Sequence, residues 1–341
     1  MLNEIAVIGY PSYCGGADTE LLDQIKVWNL MGIKVHLIPT KDNKQERIDL
    51  TNYNVVIHDY MQFESCYDLH TISFCNPAFL KYIEEIKKYA RSTSWVNCMT
   101  FNFKDELKVH ERGLIDYFLY QTKHQYNNLA GHLIRINKDN YIPYQFVPHF
   151  DNSKFPFIKN RDYSLMKFGR ISRCDTAKYS LNQFKIYKNC NIKKEGIILG
   201  WDDKLIDFCN FERDDIEKSN CKFYKEGEIS QQEFYKRCNV ICMSTRTFEN
   251  LPRVGFEAMA SGTVLIVDNR GGWKLQVNSC ISGYLCDKLN DFVEAMKQLQ
   301  SNNDLIKKMA KNAYDKLNAD FSFNKSATSW ERFFNGIEKR S

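Results

Sequence analysis

The chain of 341 residues is 43% hydrophobic and 26% charged, with only 7 Pro and 16 Gly, which excludes a disordered or fibrous protein and suggests two domains at about 150 residues each. Its net charge of +5 is unevenly spread: residues 1–150 carry −2, residues 151–320 carry +5 and the last 21 carry +2. A near-neutral first half disfavours duplex DNA as a partner, and a modestly basic second half suits a small anion such as a nucleotide diphosphate.

The first apolar run, Ile5–Ile8, reads as a strand, followed by a loop from Tyr10 to Gly16. Leu21, Leu22, Ile25 and Trp28 then share one face of a helix that Asp18 or Thr19 can cap and Gly32 can close. Lys34–Ile38 resumes as a strand, completing a strand–helix–strand unit. Val55–Ile57 and Tyr117–Tyr120 are further strands, Pro77–Ala90 a helix, and Thr122 caps a helix running to about Gly131. The pattern restarts after Val147-Pro148-His149-Phe150. Strands at Leu165–Phe168, Ile197–Leu199, Val240–Met243 and Val264–Val267 alternate with helices at Thr176–Lys188, Gln231–Cys238, Arg253–Ala260 and Leu289–Leu299. Alternation in both halves predicts two doubly wound α/β domains. Lys325–Ile337 is amphipathic, with Trp330, Phe333 and Phe334 placed to dock.

The start of the chain, with Glu4 and no basic segment, reads as a strand rather than a signal peptide. No run approaches the roughly 18 apolar residues of a membrane span, so a cytoplasmic protein is expected. Twelve cysteines without any C-x-x-C are read as free thiols in a reducing compartment. The absence of H-E-x-x-H, D-x-D and the P-loop pattern disfavours a zinc hydrolase and a P-loop nucleotidase, and no metal is expected.

Chemistry concentrates in Thr247–Gly262 and the turn that follows. Glu249 and Glu257 are separated by seven residues, with Pro252 at the start of a helix, where its missing N–H costs little. The loop and first turn, Asn250-Leu251-Pro252-Arg253-Val254, offer free amides and a helix dipole to an anion. Glu249 can then accept sugar hydroxyls, and Glu257 a ribose diol. Gly15 and Gly16, after the first strand, permit close backbone approach to a phosphate or an acceptor.

This stretch resembles the donor-binding motif of retaining glycosyltransferase family four, the glycosyl transferases group one, of the GT-B fold. The resemblance is carried by Glu249, Glu257-Ala258-Met259-Ala260, Gly262, the strand Thr263–Val267, Gly271-Gly272 and Ser282-Gly283-Tyr284-Leu285. Gly15-Gly16-Ala17-Asp18, Val147–Asp151 and Phe168-Gly169-Arg170 resemble further family segments. It implies two Rossmann-like domains facing across a cleft: residues 1–150 for the acceptor, 151–322 for the donor, and 323–341 as a helix packing back on the first domain. In the family an Arg, with a Lys five residues on, neutralises the leaving diphosphate. Here that fifth position is Asp175, so Arg170 and Lys178 are assigned the role, with Arg173 as the third cation. The family's histidine after a central strand is missing from Trp95–Phe103; His58 and Asp59 stand either as acceptor-side residues that point into the cleft or as a histidine pair at the edge of the core.

The expected function is metal-independent, cofactor-free transfer of a sugar, with retention, from a nucleotide-diphosphate sugar, UDP being favoured. The acceptor would be a glycan, a lipid-linked sugar or a small molecule, with modified DNA less favoured. A GT-B type nucleotide-sugar epimerase and a non-catalytic sugar-nucleotide-binding protein are the alternatives.

Overall fold

Each apolar run becomes a parallel strand in one of two sheets. The computed structural model describes residues 2–12, 15–41 and 48–339. It divides into a first unit, running through Phe150 and resuming at Phe321, and a second unit, Asp151–Asp320.

The first unit contains β1 (Glu4–Ile8), β2 (Lys34–Ile38), β3 (Val55–Ile57), β4 (His70–Phe74), β5 (Ser92–Val96), β6 (Tyr117–Tyr120) and β7 (Pro143–Gln145), in the order β3-β2-β1-β4-β5-β6-β7. The second contains β8 (Met166–Ile171), β9 (Lys194–Leu199), β10 (Cys221–Tyr224), β11 (Val240–Met243), β12 (Val264–Asp268) and β13 (Gly283–Cys286), in the order β10-β9-β8-β11-β12-β13. Every strand pair is parallel. Strands covered on both faces need continuous apolar sequence, and Val264–Val267 is accordingly fully buried.

The closing helix, Phe323–Glu338, belongs to the first unit. Its Trp330 packs edge-on to Trp28 at 5.0 Å and donates from Nε1 to Gln24 Oε1 at 2.6 Å. Phe146, Phe333 and Phe334 complete this part of the core.

Several expected elements differ. The first helix begins at Gly16 with Gly15 as its cap; Asp18 instead accepts from Ser12 Oγ at 2.5 Å, and Thr19 bonds the carbonyls of Gly15 and Gly16. The helix expected over 77–90 breaks into Pro77–Lys81 and Ile83–Ile86. Over 176–188 a 3-10 turn, Thr176–Lys178, precedes a helix at Gln183–Asn189. The Thr122 cap forms, its Oγ1 accepting from Gln125 N at 2.9 Å, and that helix continues to Ile136. No helix among the described residues is long and apolar enough to cross a membrane.

Candidate donor site

Doubly wound sheets bind ligands beyond the carboxyl ends of their strands, where neighbouring strands send the chain to opposite sides. In the second unit that point lies between β8 and β11, since β9 and β10 extend the sheet one way and β12 and β13 the other. The loops after β8, β11 and β12 meet there.

Lys178 ends the Thr176–Lys178 turn, which Asp175 caps by accepting from Ala177 N at 2.9 Å. The residue standing where the family has lysine is therefore a cap, and the cation follows three positions later. The carbonyl of Ala177 accepts from Arg246 N at 3.2 Å, Thr247 N at 3.1 Å and Thr247 Oγ1 at 3.1 Å, fastening the loop after β11 to this turn. Across that seam Lys178 Nζ lies 2.7 and 2.8 Å from the two oxygens of Glu249, the side chains being 25% and 13% exposed.

The Glu249 loop is braced from β12. Asp268 accepts from Ser244 Oγ and Thr245 N, both at 2.7 Å. Arg270 donates to the Thr245 carbonyl and lies over the Phe248 ring at 5.1 Å. Gly272 N donates to the Glu249 carbonyl at 2.8 Å. A Cβ on Gly271 would collide with that same carbonyl, and one on Gly272 with the carbonyl of Asn250. The Gly-Gly turn is thus demanded by backbone packed on backbone beside Glu249.

Arg170 was expected to face a diphosphate, and the structure encloses it instead. It is 0% exposed. Its Nε donates to Gln183 Oε1 at 3.1 Å, its Nη1 to Ser172 Oγ at 2.7 Å and its Nη2 to the Lys178 carbonyl, while the guanidinium stacks on Tyr179 at 3.4 Å. A planar five-donor fork suits this keystone position. Every one of those partners is neutral, and among the described residues Arg170 forms no ion pair, so its buried charge raises the positive potential behind Lys178. Arg173 is exposed on the same loop and does not join the pair.

Glu257 lies on the helix Arg253–Ser261, facing Tyr235, whose hydroxyl is 2.9 Å from Oε2. Burial holds the Glu257 carboxyl above its ordinary range, against the opposing effects of Tyr235 and Arg253. Burial, and then the Glu257 charge, pushes the Tyr235 phenol far up, so it remains a donor. Pro252 is the cap of this helix rather than part of its first turn, and Gln276 Nε2 donates to its carbonyl at 2.9 Å. Asn250 and Leu251 are buried. Arg253 and Val254 head the helix, at the positive end of its dipole.

In the first unit the corresponding point lies between β1 and β4. Gly15 has φ 102°, a conformation suited to glycine, and among the described residues beyond its chain neighbours no atom lies within 4 Å of where a Cβ would stand. The preceding Tyr13 and Cys14 lie outside the described residues. His58 follows β3 at the edge of the sheet, where its Nε2 is 2.9 Å from His36 Nδ1 and the rings stack. Burial, then the neighbouring His36, holds its pKa below the usual value. The structure thus sets His58 and exposed Asp59 two strands away from the β1–β4 point. The expected acceptor-side place is not where they stand, because the short β3 pairs only with β2 and His58 is spent on His36.

Asp268, Arg270, Tyr235 and Gln276 escaped the sequence reading. Only Asp268, an acid closing an apolar strand just before Gly271-Gly272, carried a signal that could have found it. Among the described residues no group of three or more His, Cys, Asp or Glu is arranged to hold a metal ion.

Residues 177–316 match the family model described as Glycosyl transferases group 1. A stretch of 109 residues, 31% of the chain, is 37% identical to YtcC of Bacillus subtilis (strain 168), a candidate glycosyltransferase, and spans 26% of that relative. Among solved structures, HepE of Anabaena in complex with UDP and glucose superimposes with a TM-score of 0.74 at 14% identity, covering 98% of this chain and 100% of that one. Sucrose-phosphate synthase of Thermosynechococcus elongatus gives 0.72 at 14% identity, covering 99% and 100%. The loops that meet at Lys178 and Glu249 thus lie in the stretch that matches the glycosyl transferases group 1 model, within a chain of GT-B fold.

Proposed function

We propose that this protein transfers a sugar, with retention of anomeric configuration, from a nucleoside-diphosphate sugar to a hydroxyl-bearing acceptor. The observation that carries the reading is a reachable lysine, Lys178, backed by a buried arginine with only neutral partners, at the switch point of a parallel sheet. A cation buried without a counter-charge favours an anion nearby. Lys178, the field of Arg170 and the positive end of the helix Arg253–Ser261 together suit a departing diphosphate without assigning that task to a metal. UDP is favoured because HepE, of the same fold, is complexed with UDP and with UDP-glucose.

In this reading Glu249 orients the donor sugar and Glu257, held by Tyr235, meets the ribose. The bond from C1 to the β-phosphate oxygen breaks, the acceptor oxygen bonds C1 on the same face, and its proton passes to the departing phosphate. Acceptor binding falls to the first unit, with Gly15 and Gly16 at its β1–β4 point.

A thermal-shift screen against UDP-, GDP- and ADP-sugars, followed by product analysis with a panel of saccharide acceptors, tests the proposal. A nucleotide sugar that stabilises the protein and yields a glycosylated product supports it. Release of an isomerised nucleotide sugar with no acceptor consumed would replace it with an epimerase. Binding without transfer or hydrolysis of any donor would replace it with a binding protein.

A further inference from the structure

We propose that Lys178 is an exchange cation: Glu249 holds it until a nucleoside diphosphate takes it over, and the carboxylate so released then receives the hydroxyls of the donor sugar. The inference rests on the reading of this site as a nucleoside-diphosphate-sugar site, and it adds an order of events that the reading alone does not contain.

The starting observation is how completely the two side chains are committed to each other. Both Glu249 oxygens lie on one ammonium, at 2.7 and 2.8 Å, and neither side chain has another hydrogen-bond partner among the described residues. Two of the three Lys178 donors are therefore used, and both Glu249 oxygens are engaged.

The backbones beneath the pair are fixed. The Lys178 carbonyl takes Arg170, the preceding carbonyl of Ala177 takes the loop of Glu249, and the Glu249 carbonyl takes Gly272 N. Rearrangement is left to the side chains, and a lysine on four methylenes can turn its ammonium where a rigid arginine fork cannot.

Charge decides the direction. The buried Arg170 forms no ion pair among the described residues and Lys178 is neutralised by Glu249, so the pair conceals the reachable cation of the two. A diphosphate seated within reach of Lys178 would stand within about 5 Å of the carboxylate, a distance at which like charges repel strongly in a half-buried site. Moving the ammonium onto the diphosphate relieves that repulsion at the contact and unlocks both carboxylate oxygens. A Glu249 bound through both oxygens is poorly placed to accept sugar hydroxyls; one released by the diphosphate is well placed. Sugar recognition therefore follows diphosphate recognition, and a free monosaccharide meets a site whose acceptor group is occupied.

Calorimetry with UDP and UDP-glucose, and saturation-transfer NMR with glucose, test this on the full chain. Glu249→Gln, which keeps the shape and removes the competing charge, is expected to bind UDP about tenfold more tightly than the native protein, a gain of about 1.4 kcal/mol. The same variant is expected to lose most of its preference for UDP-glucose over UDP. Glu249→Asp, which keeps the charge, is expected to bind UDP no more tightly than native protein. In the native protein, glucose is expected to give a signal only when UDP is present at saturation. UDP affinity unchanged or weakened in Glu249→Gln overturns the exchange, because Lys178 would then bridge carboxylate and phosphate together. So does glucose binding without UDP. Lys178→Met separates the two levels: native UDP affinity in that variant removes the reading of the site itself, whereas its loss beside an unaltered Glu249→Gln removes only the exchange.

Discussion

Glu106 shows how a single side chain links local folding to pH. It is fully buried at the start of the helix Lys104–Glu111, accepting from Phe103 N and Asn97 Nδ2, both at 2.9 Å. Burial outweighs those bonds and raises its carboxyl from 4.5 to about 7. A raised acid favours folding while both states are protonated, so this contribution is complete below pH 4.5 and is lost as pH rises through about 7. The full span corresponds to roughly 3 kcal/mol. Thermal melts from pH 4.5 to pH 8 are expected to show Glu106→Gln losing less stability with rising pH than the native protein. Parallel slopes for the two would mean that Glu106 is ionised throughout and that its hydrogen bonds govern. The same loop, Asn97–Phe103, occupies the stretch where the family's histidine is missing, and here the buried acid holds the loop together.

Two elements hold the donor loop in register, and each offers a test. The helix Arg253–Ser261 ends at Gly262, whose φ of 74° places it in the left-handed region that favours glycine. Arg161 secures that end, Nη2 donating to the Ser261 carbonyl at 2.7 Å while Nη1 donates to the carbonyls of Tyr235 and Cys238. One guanidinium thus ties together the C-terminal ends of both helices that carry the Glu257–Tyr235 pair. Arg161→Ala is expected to cost about 2–4 kcal/mol in urea denaturation, since several buried carbonyls lose a charged donor. A loss below about 0.5 kcal/mol would mean that water replaces the side chain at no cost. At the other edge, Gly272→Ala must push the Asn250 carbonyl aside and Glu249 with it. Under the proposed function its expected signature is donor-sugar turnover at least tenfold below native, with far-UV circular dichroism unchanged. Native turnover would show that the turn tolerates a methyl group and does not position Glu249.

At the scale of the whole molecule, what could be read in advance follows from how each segment is buried. β12 was plain because Val264–Val267 is apolar throughout and fully enclosed. β4 and β5 were not, although every residue of His70–Phe74 and Ser92–Val96 is equally buried. Their inward positions include His70, Thr71, Ser73, Ser92, Thr93 and Ser94, which imitate a loop in sequence. They are paid for by long-range bonds such as Ser73 Oγ to the Ile8 carbonyl at 2.9 Å and His70 Nδ1 to Ser92 Oγ at 2.7 Å, invisible before the strands are aligned. The site behaved likewise. Glu249 and Gly271-Gly272 stood out as a spaced pattern and Lys178 as a cation near the place where the resemblance puts a lysine, whereas the enclosure of Arg170 and the Asp268 brace depend on chain neighbours far apart in sequence.

The closing helix gives this division its clearest consequence. Trp330 is fully buried in the core of the first unit, between Trp28, Phe146, Phe333 and Phe334. Trp330→Ala removes a large side chain from a packed core and leaves Gln24 Oε1 with Ser326 Oγ as its remaining donor, a change that costs about 3–5 kcal/mol. For a unit of this size that lowers its melting temperature by about 10 °C. Lys178, Glu249 and their braces draw every contact described above from the second unit. UDP affinity measured well below the melting range is therefore expected to match native protein, while calorimetric scanning shows the unfolding of the first unit moved to lower temperature. If UDP binding at that temperature weakens in Trp330→Ala, the candidate donor site depends on the core around Trp330, and its confinement to the second unit is wrong.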